Sequence, residues 1–157
     1  MPPPLLLDLA SFDLSKTVLT KEAIYRGLPH RYEFQVLDGV CHLDHATNQV
    51  VAYADIRTDD WWVKGHVPGR PLLPGVLMLE MAAQTSAIAA KQSGVEAFIG
   101  FGGVEHCKFR DSVTPPARLY LIGVGVDVRP RRIISDTQGV VDGRLIFEAR
   151  ITGLTMS

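Results

Sequence analysis

The chain has few cysteines, almost no net charge and no long apolar segment, and each shortage excludes a class of protein. Its two cysteines, Cys41 and Cys107, cannot form a disulfide framework, so we expect a reducing compartment, the cytoplasm. The 16 basic and 17 acidic residues leave a net charge of −1 without a long run of either sign, which argues against a nucleic-acid or membrane surface. No segment reaches the length of a membrane span, and the opening residues lack the basic region of a signal peptide.

The chain does have enough apolar residues for one substantial core. Hydrophobic residues make up 46% of its 157 positions, a length typical of a single domain. We expect residues 20–157 to form this domain and residues 1–19 to be a loosely held extension. Thr20 is expected to cap a short helix that runs to Arg26 and is ended by Gly27.

The order of the remaining elements predicts an α+β fold. Two strands are expected first, with a turn between them, and then a long loop at 59–74 of the kind that is often functional in a small domain. Residues 76–92 are apolar on all sides and predict a buried helix. Four further strands follow, the last two joined by Asp142-Gly143, a strong hairpin signal. The six predicted strands are 34–43, 49–56, 97–109, 118–128, 132–141 and 144–154.

An acidic residue, Glu80, stands almost alone in the predicted helix. An ion without a partner is costly to remove from water, so a carboxylate kept at such a position usually has a use and a shifted pKa. The preceding turn is rich in proline and glycine and is stiff enough to hold His66 in place. A fixed histidine near a buried carboxylic acid indicates proton transfer.

The spacing of these residues resembles that of the bacterial 3-hydroxyacyl-(acyl carrier protein) dehydratases. The pattern occupies ten positions within a short stretch: His66, Pro68, Gly69, Pro71, Pro74, Gly75, Val76, Leu77, Glu80 and Gln84. A second match lies at 28–32, which reads Leu-Pro-His-Arg-Tyr, with Asp38 after it, and a looser one includes 108–110. The resemblance extends from about Ala23 to the C-terminus.

The resemblance implies a hot-dog fold, in which the sheet wraps around the central helix, and a homodimer formed through edge strands, sometimes as a trimer of dimers. It also implies that the partner is an acyl carrier protein and that the site lies between subunits. Family members often hold the peptide after the histidine in a cis form, here His66–Val67. We expect strand 97–109 to pair with its symmetry mate, and we expect no cofactor and no metal ion.

Each residue suits one step of a dehydration. Histidine titrates near neutrality, which suits His66 as the base, and Glu80 suits the acid if burial keeps it protonated. Free N–H groups of Gly75 and Val76 at the start of the helix would bind the thioester oxygen. Gln84 lies on the same helical face as Glu80 and could hold its carboxyl group or the released water.

Plainer interpretations remain open at this stage. Glu80 could be a structural partner of Arg31 or Arg70, and we expect His30 and Arg31 to be structural or to line a tunnel. His42, Asp44 and His45 are spaced vaguely like metal ligands, yet a turn is the better interpretation. A carrier protein could dock on basic residues, namely Lys64, Arg70, Lys108, Arg110 and Arg118.

The sequence also departs from the family pattern in the loops. Val67 stands where the dehydratases usually have phenylalanine, 61–63 reads Trp-Trp-Val, and 113–117 lacks the usual glycine and aspartate. These departures leave the acyl substrate open. One alternative is a specialised dehydratase for polyketide, polyene or modified-lipid synthesis, and another is a non-catalytic hot-dog subunit that binds acyl chains or pairs with an active partner.

Overall fold

A seven-stranded antiparallel sheet and one long helix make up most of the chain in a computed structural model, which describes all residues from Met1 to Ser157. Two short 3-10 helices, Leu9–Ser11 and Tyr32–Phe34, lie outside these elements. The remaining elements are β1 Leu19–Thr20, α1 Lys21–Gly27, β2 Gly39–Asp44, β3 Gln49–Ile56, α2 Gly75–Gln92, β4 Phe98–Phe109, β5 Ala117–Val128, β6 Arg132–Val141 and β7 Arg144–Met156. The predicted α+β class is therefore confirmed.

The order of the strands in the sheet determines which of them cover the long helix. The order across the sheet is β1-β2-β3-β5-β6-β7-β4, so β1 and β4 are its two edges. Helix α2 contacts the strands from β3 to β7, which places it along the middle of the curved sheet. The core between them is built from fully buried apolar side chains, among them Leu119, Leu121, Ile146, Phe147 and Val50.

Local sequence accounts for the start of the first helix and for the last hairpin. The hydroxyl of Thr20 accepts a hydrogen bond from the Ala23 N–H at 3.2 Å, as expected for an N-cap residue. Asp142 and Gly143 both adopt positive φ, 49° and 75°, the geometry of a two-residue turn that matches the strand twist. The predicted alternation of strand β7 holds from Phe147 to Thr152, whereas Ile146, just before it, is also fully buried and breaks the pattern.

The first predicted strand, 34–43, is wrong in its first half. The chain forms a 3-10 turn at Tyr32–Phe34, and β2 begins only at Gly39. Two backbone groups of this segment bond to side chains instead of a strand: Leu37 N–H donates to the Tyr25 hydroxyl, and Phe34 C=O accepts from Gln84. Regular pairing starts only where the chain reaches β3, with Asp38 N–H donating to Tyr53 C=O. The following turn is also shorter than predicted, because Asp44 pairs with Gln49 in the sheet.

Helix α2 is not buried on every side, contrary to the prediction. Leu77, Met78 and Met81 pack into the core, whereas the Val76 side chain is 74% exposed. The sheet covers one side of the helix, and the chain itself leaves the side that carries Val76 and Glu80 less covered. No helix is both long enough and apolar enough to cross a membrane.

The N-terminal extension is packed against the domain, so the prediction of a loosely held segment is wrong. Its apolar residues Leu7, Leu9, Phe12 and Leu14 lie against Cys41, Val51 and Tyr53 on the outer face of the sheet. The Leu6 N–H also donates to Gln138 Oε1 at 2.7 Å. Strand β3 alternates, with Val50 and Ala52 facing α2, and this places Val51 and Tyr53 on the outer face that the extension covers.

Candidate active site

The imidazole of His66 is held in one tautomer by the loop that precedes α2. Its Nδ1 lies 2.7 Å from the carbonyl oxygen of Leu72. A carbonyl oxygen can only accept a hydrogen bond, so Nδ1 carries the proton and Nε2 of the neutral ring is left with its lone pair. The side chain is exposed, and Nε2 is therefore available as a base.

The same loop is anchored at both of its ends. Trp62 is buried in the core, and its carbonyl accepts the His66 N–H at 2.9 Å. Leu73 N–H donates to Val113 C=O at 2.9 Å, which ties the loop to the segment before β5. The prediction that His66 is fixed in place is confirmed, but the predicted cis bond after it is wrong, since the cis peptide of this chain is Pro115–Pro116.

Two neighbouring side chains contact the same oxygen of the Glu80 carboxylate. Gln84 Nε2 donates to Oε1 at 2.8 Å, and His30 Nε2 lies 3.3 Å from the same atom. The other oxygen, Oε2, has no hydrogen-bond partner within the chain. Because Oε1 already accepts from two donors, a proton bound by Glu80 would reside on Oε2.

The pKa of Glu80 is shifted in the opposite direction to the one expected. The hydrogen bond from His30 is the largest cause and lowers the pKa below its ordinary value of 4.5; burial opposes it and Gln84 lowers it further. We expected burial to dominate and to raise the pKa. Two donors on one carboxylate oxygen favour the ionised form, and here they outweigh the loss of water contact.

Neither arginine proposed as a structural partner contacts Glu80. The guanidinium of Arg31 donates to three main-chain carbonyls, those of Tyr25, Leu28 and His30. It therefore shapes the segment that carries His30 and does not neutralise Glu80. His30 itself contacts Glu80 directly, although the sequence predicted a structural role or a place in a tunnel wall, and the Leu-Pro-His-Arg-Tyr match was the signal that pointed to it.

Two main-chain N–H groups are free at the start of α2. The helix begins at Gly75, and no side chain caps it. The N–H groups of Leu77 and Met78 donate to Pro74 C=O, whereas those of Gly75 and Val76 have no acceptor within the chain. Free N–H groups at a helix N-terminus favour a negatively charged oxygen. A Cβ at position 75 would lie 2.9 Å from the Phe109 ring, so glycine also suits the close packing there.

Within one chain, the two predicted acid–base residues line different depressions. A largely apolar pocket of about 120 Å³ lies between α2 and the edge of the sheet. Its polar lining comes from Glu80, His30 and Gln84, and its apolar walls are Ala83, Ala87, Phe98, Phe101 and Ile151. His66 lines a separate, more open depression with Trp61, Pro74 and Val76. A single chain thus brings Glu80, Gln84 and His30 together and places His66 and Val76 apart from them.

The comparisons with solved structures define the class of fold. The dehydratase heterocomplex ApeI:P from Xenorhabdus doucetiae matches with a TM-score of 0.73 at 14% identity, covering 85% of this chain and 91% of that one. The TT0310 protein from Thermus thermophilus matches with a TM-score of 0.61 at 18% identity, covering 81% of this chain and 100% of that one. The protein has the hot-dog fold.

The sequence comparisons define the family. Residues 28–150 match the FabA-like domain. The 3-hydroxyacyl-[acyl-carrier-protein] dehydratase FabZ of Enterococcus faecalis is 36% identical over 138 residues, covering 85% of this chain and 96% of that protein. The protein of the same name from Bacillus velezensis is 32% identical over 140 residues, covering 86% and 96%. The chain therefore belongs to the FabA-like family, with FabZ-type 3-hydroxyacyl-acyl carrier protein dehydratases as its relatives.

Proposed function

We propose that the protein removes water from (3R)-3-hydroxyacyl-acyl carrier protein thioesters and forms trans-2-enoyl thioesters, in fatty-acid or related lipid or polyketide synthesis in the cytoplasm. One observation carries this proposal. His66 presents a free Nε2, Glu80 presents a free Oε2, and the first N–H groups of α2 are also free. A base, an acid and an oxyanion site are the three groups that this elimination needs.

The proposed steps assign one role to each group. Nε2 of His66 takes the proton from C2 of the substrate, and the electron pair of that bond moves towards the thioester carbonyl. The N–H groups of Gly75 and Val76 bind the negative oxygen. The C3–O bond then breaks as the double bond forms between C2 and C3, and Glu80 donates its proton to the departing hydroxyl, which leaves as water. Protonated His66 and ionised Glu80 return to their starting forms by proton exchange with solvent.

The acid role requires that Glu80 bind a proton despite its lowered pKa. In one chain the pocket is partly open and Glu80 keeps about a fifth of its side-chain surface, 22%, in contact with solvent. An acyl chain in the apolar pocket would remove that water and disfavour the charged form of the carboxyl group. The proposed acid form therefore belongs to the substrate complex.

A homodimer would bring the two halves of the site together. Strand β4 pairs with β7 on one side only, so the main-chain groups of its other edge are unpaired, and the strand carries exposed apolar side chains, those of Phe98, Phe101, Val104 and Phe109. Unpaired edges with apolar side chains readily pair with another strand. In the proposed dimer β4 pairs with its symmetry mate, and His66 of one subunit faces Glu80 of the other; three such dimers could assemble further.

The proposed docking surface for the carrier protein is smaller than the sequence indicated. Arg110 is paired with Glu148 at 2.8 Å and Arg118 with Asp55 at 2.7 Å. Lys64, Arg70 and Lys108 are exposed and form no ion pair within the chain. These three residues are the available cations for an acidic carrier.

Hydration of crotonyl thioesters tests the function directly. The purified protein should consume the enoyl absorbance of crotonyl-acyl carrier protein and, more slowly, that of the coenzyme A thioester. His66→Asn keeps a donor near Leu72 but has no basic nitrogen, so activity should fall by about 10²–10⁴-fold. His45→Asn, in the exposed turn after β2, is the matched control and should be unchanged. A folded wild-type protein with no activity on either thioester would favour the non-catalytic acyl-binding alternative.

A further inference from the structure

A buried tyrosine on α1 is connected to Glu80 through one side-chain amide. The hydroxyl of Tyr25 lies 2.6 Å from Gln84 Oε1, and both residues are almost fully buried. Gln84 Nε2 in turn donates to Glu80 Oε1 and to the carbonyl of Phe34, each at 2.8 Å. The amide thus uses its acceptor and both of its N–H donors.

Two main-chain groups set the direction of this chain of hydrogen bonds. The N–H of Leu37 can only donate, and it donates to the Tyr25 hydroxyl oxygen at 2.9 Å. Tyr25 therefore directs its own proton to Gln84. At the other end Phe34 C=O can only accept, so it takes one N–H of the amide. The amide nitrogen, and not the oxygen, is consequently the atom that faces Glu80.

We propose that Tyr25 is a positioning residue for Glu80, acting through Gln84 to hold the amide N–H groups towards the carboxylate. For its effect on catalysis, this inference rests on the proposed function. Without the Tyr25 hydroxyl, Gln84 Oε1 would lose its buried donor, and a rotated amide would place an acceptor against the carboxylate. Oε1 of Glu80 would then lose one of its two donors, and the preference for a proton on Oε2 would weaken.

The environment of Tyr25 supports this role. Burial raises the pKa of its hydroxyl far above the usual range, so the hydroxyl keeps its proton as a donor at every working pH. Its ring also lies nearly perpendicular to that of His30, with ring centroids 6.4 Å apart, and His30 is the second donor to Glu80. Tyr25 therefore contacts both residues that bind Oε1.

The ionisable groups around Glu80 are few. His30 is in direct contact with Glu80. Tyr25, on α1, is connected to Glu80 through Gln84. The residues that β4, β6 and β7 contribute to the pocket are apolar or neutral: Phe98, Ile99, Gly100, Phe101, Ile133, Ile151, Thr152 and Gly153. A change in the titration of Glu80 after removal of the Tyr25 hydroxyl therefore acts through Gln84 or through His30, and a Gln84→Met background distinguishes the two routes.

Carboxyl carbon NMR of the glutamate-labelled, full-length protein tests the inference without relying on activity. The chain has six glutamates, and Glu80→Gln identifies the signal of interest. Tyr25→Phe removes only the hydroxyl and should raise the pKa of Glu80. Tyr53→Phe is the matched control: Tyr53 is also buried, its hydroxyl bonds Thr17 on the outer face of the sheet, and its loss should leave Glu80 unchanged. In a Gln84→Met background, Tyr25→Phe should produce no further change in the pKa of Glu80.

Steady-state kinetics distinguish a positioning role of Tyr25 from a general effect on the stability of the protein. Tyr25→Phe should lower kcat roughly 2- to 10-fold, the range supported by one neutral hydrogen bond, with KM close to that of the wild type. An unchanged Glu80 pKa in Tyr25→Phe overturns the inference while leaving the dehydratase proposal intact. If Tyr25→Phe raises the pKa of Glu80 but the wild-type protein has no dehydratase activity, the connection from Tyr25 to Glu80 is supported and the proposed function is overturned.

A measurement on the wild-type protein covers the case in which Tyr25→Phe does not fold. Both N–H protons of the Gln84 side chain should show the low-field shifts of hydrogen-bonded protons and slow exchange with solvent. Ordinary shifts with fast exchange would overturn the inference.

Discussion

His30 and Glu80 form a direct contact, with His30 Nε2 placed 3.3 Å from Glu80 Oε1. The contact joins the segment after α1 to the middle of α2, and it is the largest cause of the lowered pKa of Glu80. The Nδ1 atom of the same imidazole is buried and has no hydrogen-bond partner in the chain. The ring therefore directs its one polar contact towards the carboxylate.

The lowered pKa predicts how stability depends on acid. The folded state binds a proton at Glu80 less readily than the unfolded chain, so the stabilisation is present above the ordinary pKa of 4.5. It is lost as the pH falls from about that value through the lower folded pKa. The free energy of unfolding of Glu80→Gln should therefore fall less steeply in acid. Urea unfolding between about pH 3 and pH 6 measures the slope. An equal slope in Glu80→Gln and the wild type would show that the carboxylate is not stabilised in the fold.

Substitution of the proposed acid should remove turnover but not assembly. Glu80→Gln keeps the shape of the side chain and removes its exchangeable proton, so activity should fall by about 10²–10⁴-fold. The bell-shaped pH–rate profile of the wild type should lose one of its two ionisations in the residual activity of the variant. Glu96→Gln, at an exposed position, should behave as the wild type. Near wild-type turnover with both limbs retained would rule out Glu80 as the acid.

Mixing two inactive variants tests the composite site. If His66 and Glu80 act from different subunits, a dimer of His66→Asn with Glu80→Gln contains one intact site and one doubly substituted site. Random reassortment makes half of the dimers mixed, so about one quarter of wild-type activity should return. The mixture should be assayed after unfolding and refolding the two variants together. Activity no higher than that of the separate variants would indicate that both residues act from the same chain.

The packed extension predicts a change in thiol reactivity. Cys41 is 4% exposed beneath the apolar residues of the extension, whereas Cys107 is exposed on β4. In a Cys107→Ser background the full-length protein should react slowly with a thiol reagent, and a variant lacking residues 1–15 should react quickly at Cys41. Circular dichroism of both proteins serves as the control for folding. Equal rates would mean that the extension does not cover this face in solution.

Much of the fold could be predicted because the local signals agree with one another. Thr20 has the side chain that an N-cap needs, and Asp142-Gly143 accepts the positive φ values of a tight hairpin. The stretch 32–38 could not be predicted in the same way. Two of its backbone groups, Leu37 N–H and Phe34 C=O, bond to the side chains of Tyr25 and Gln84, and no local sequence pattern indicates such partners.

The sequence by itself determined the family, the α+β order of elements and the residue types of the candidate site, because the spacing from His66 to Gln84 follows from chain position alone. Tertiary structure decided the electrostatic state of Glu80. An apolar helix favours a raised pKa, but two donors brought to the same oxygen from α2 and from the segment after α1 lower it. Hydrogen bonds from groups distant in sequence depend on how the chain is packed, and here they outweigh the burial that the helix alone could predict.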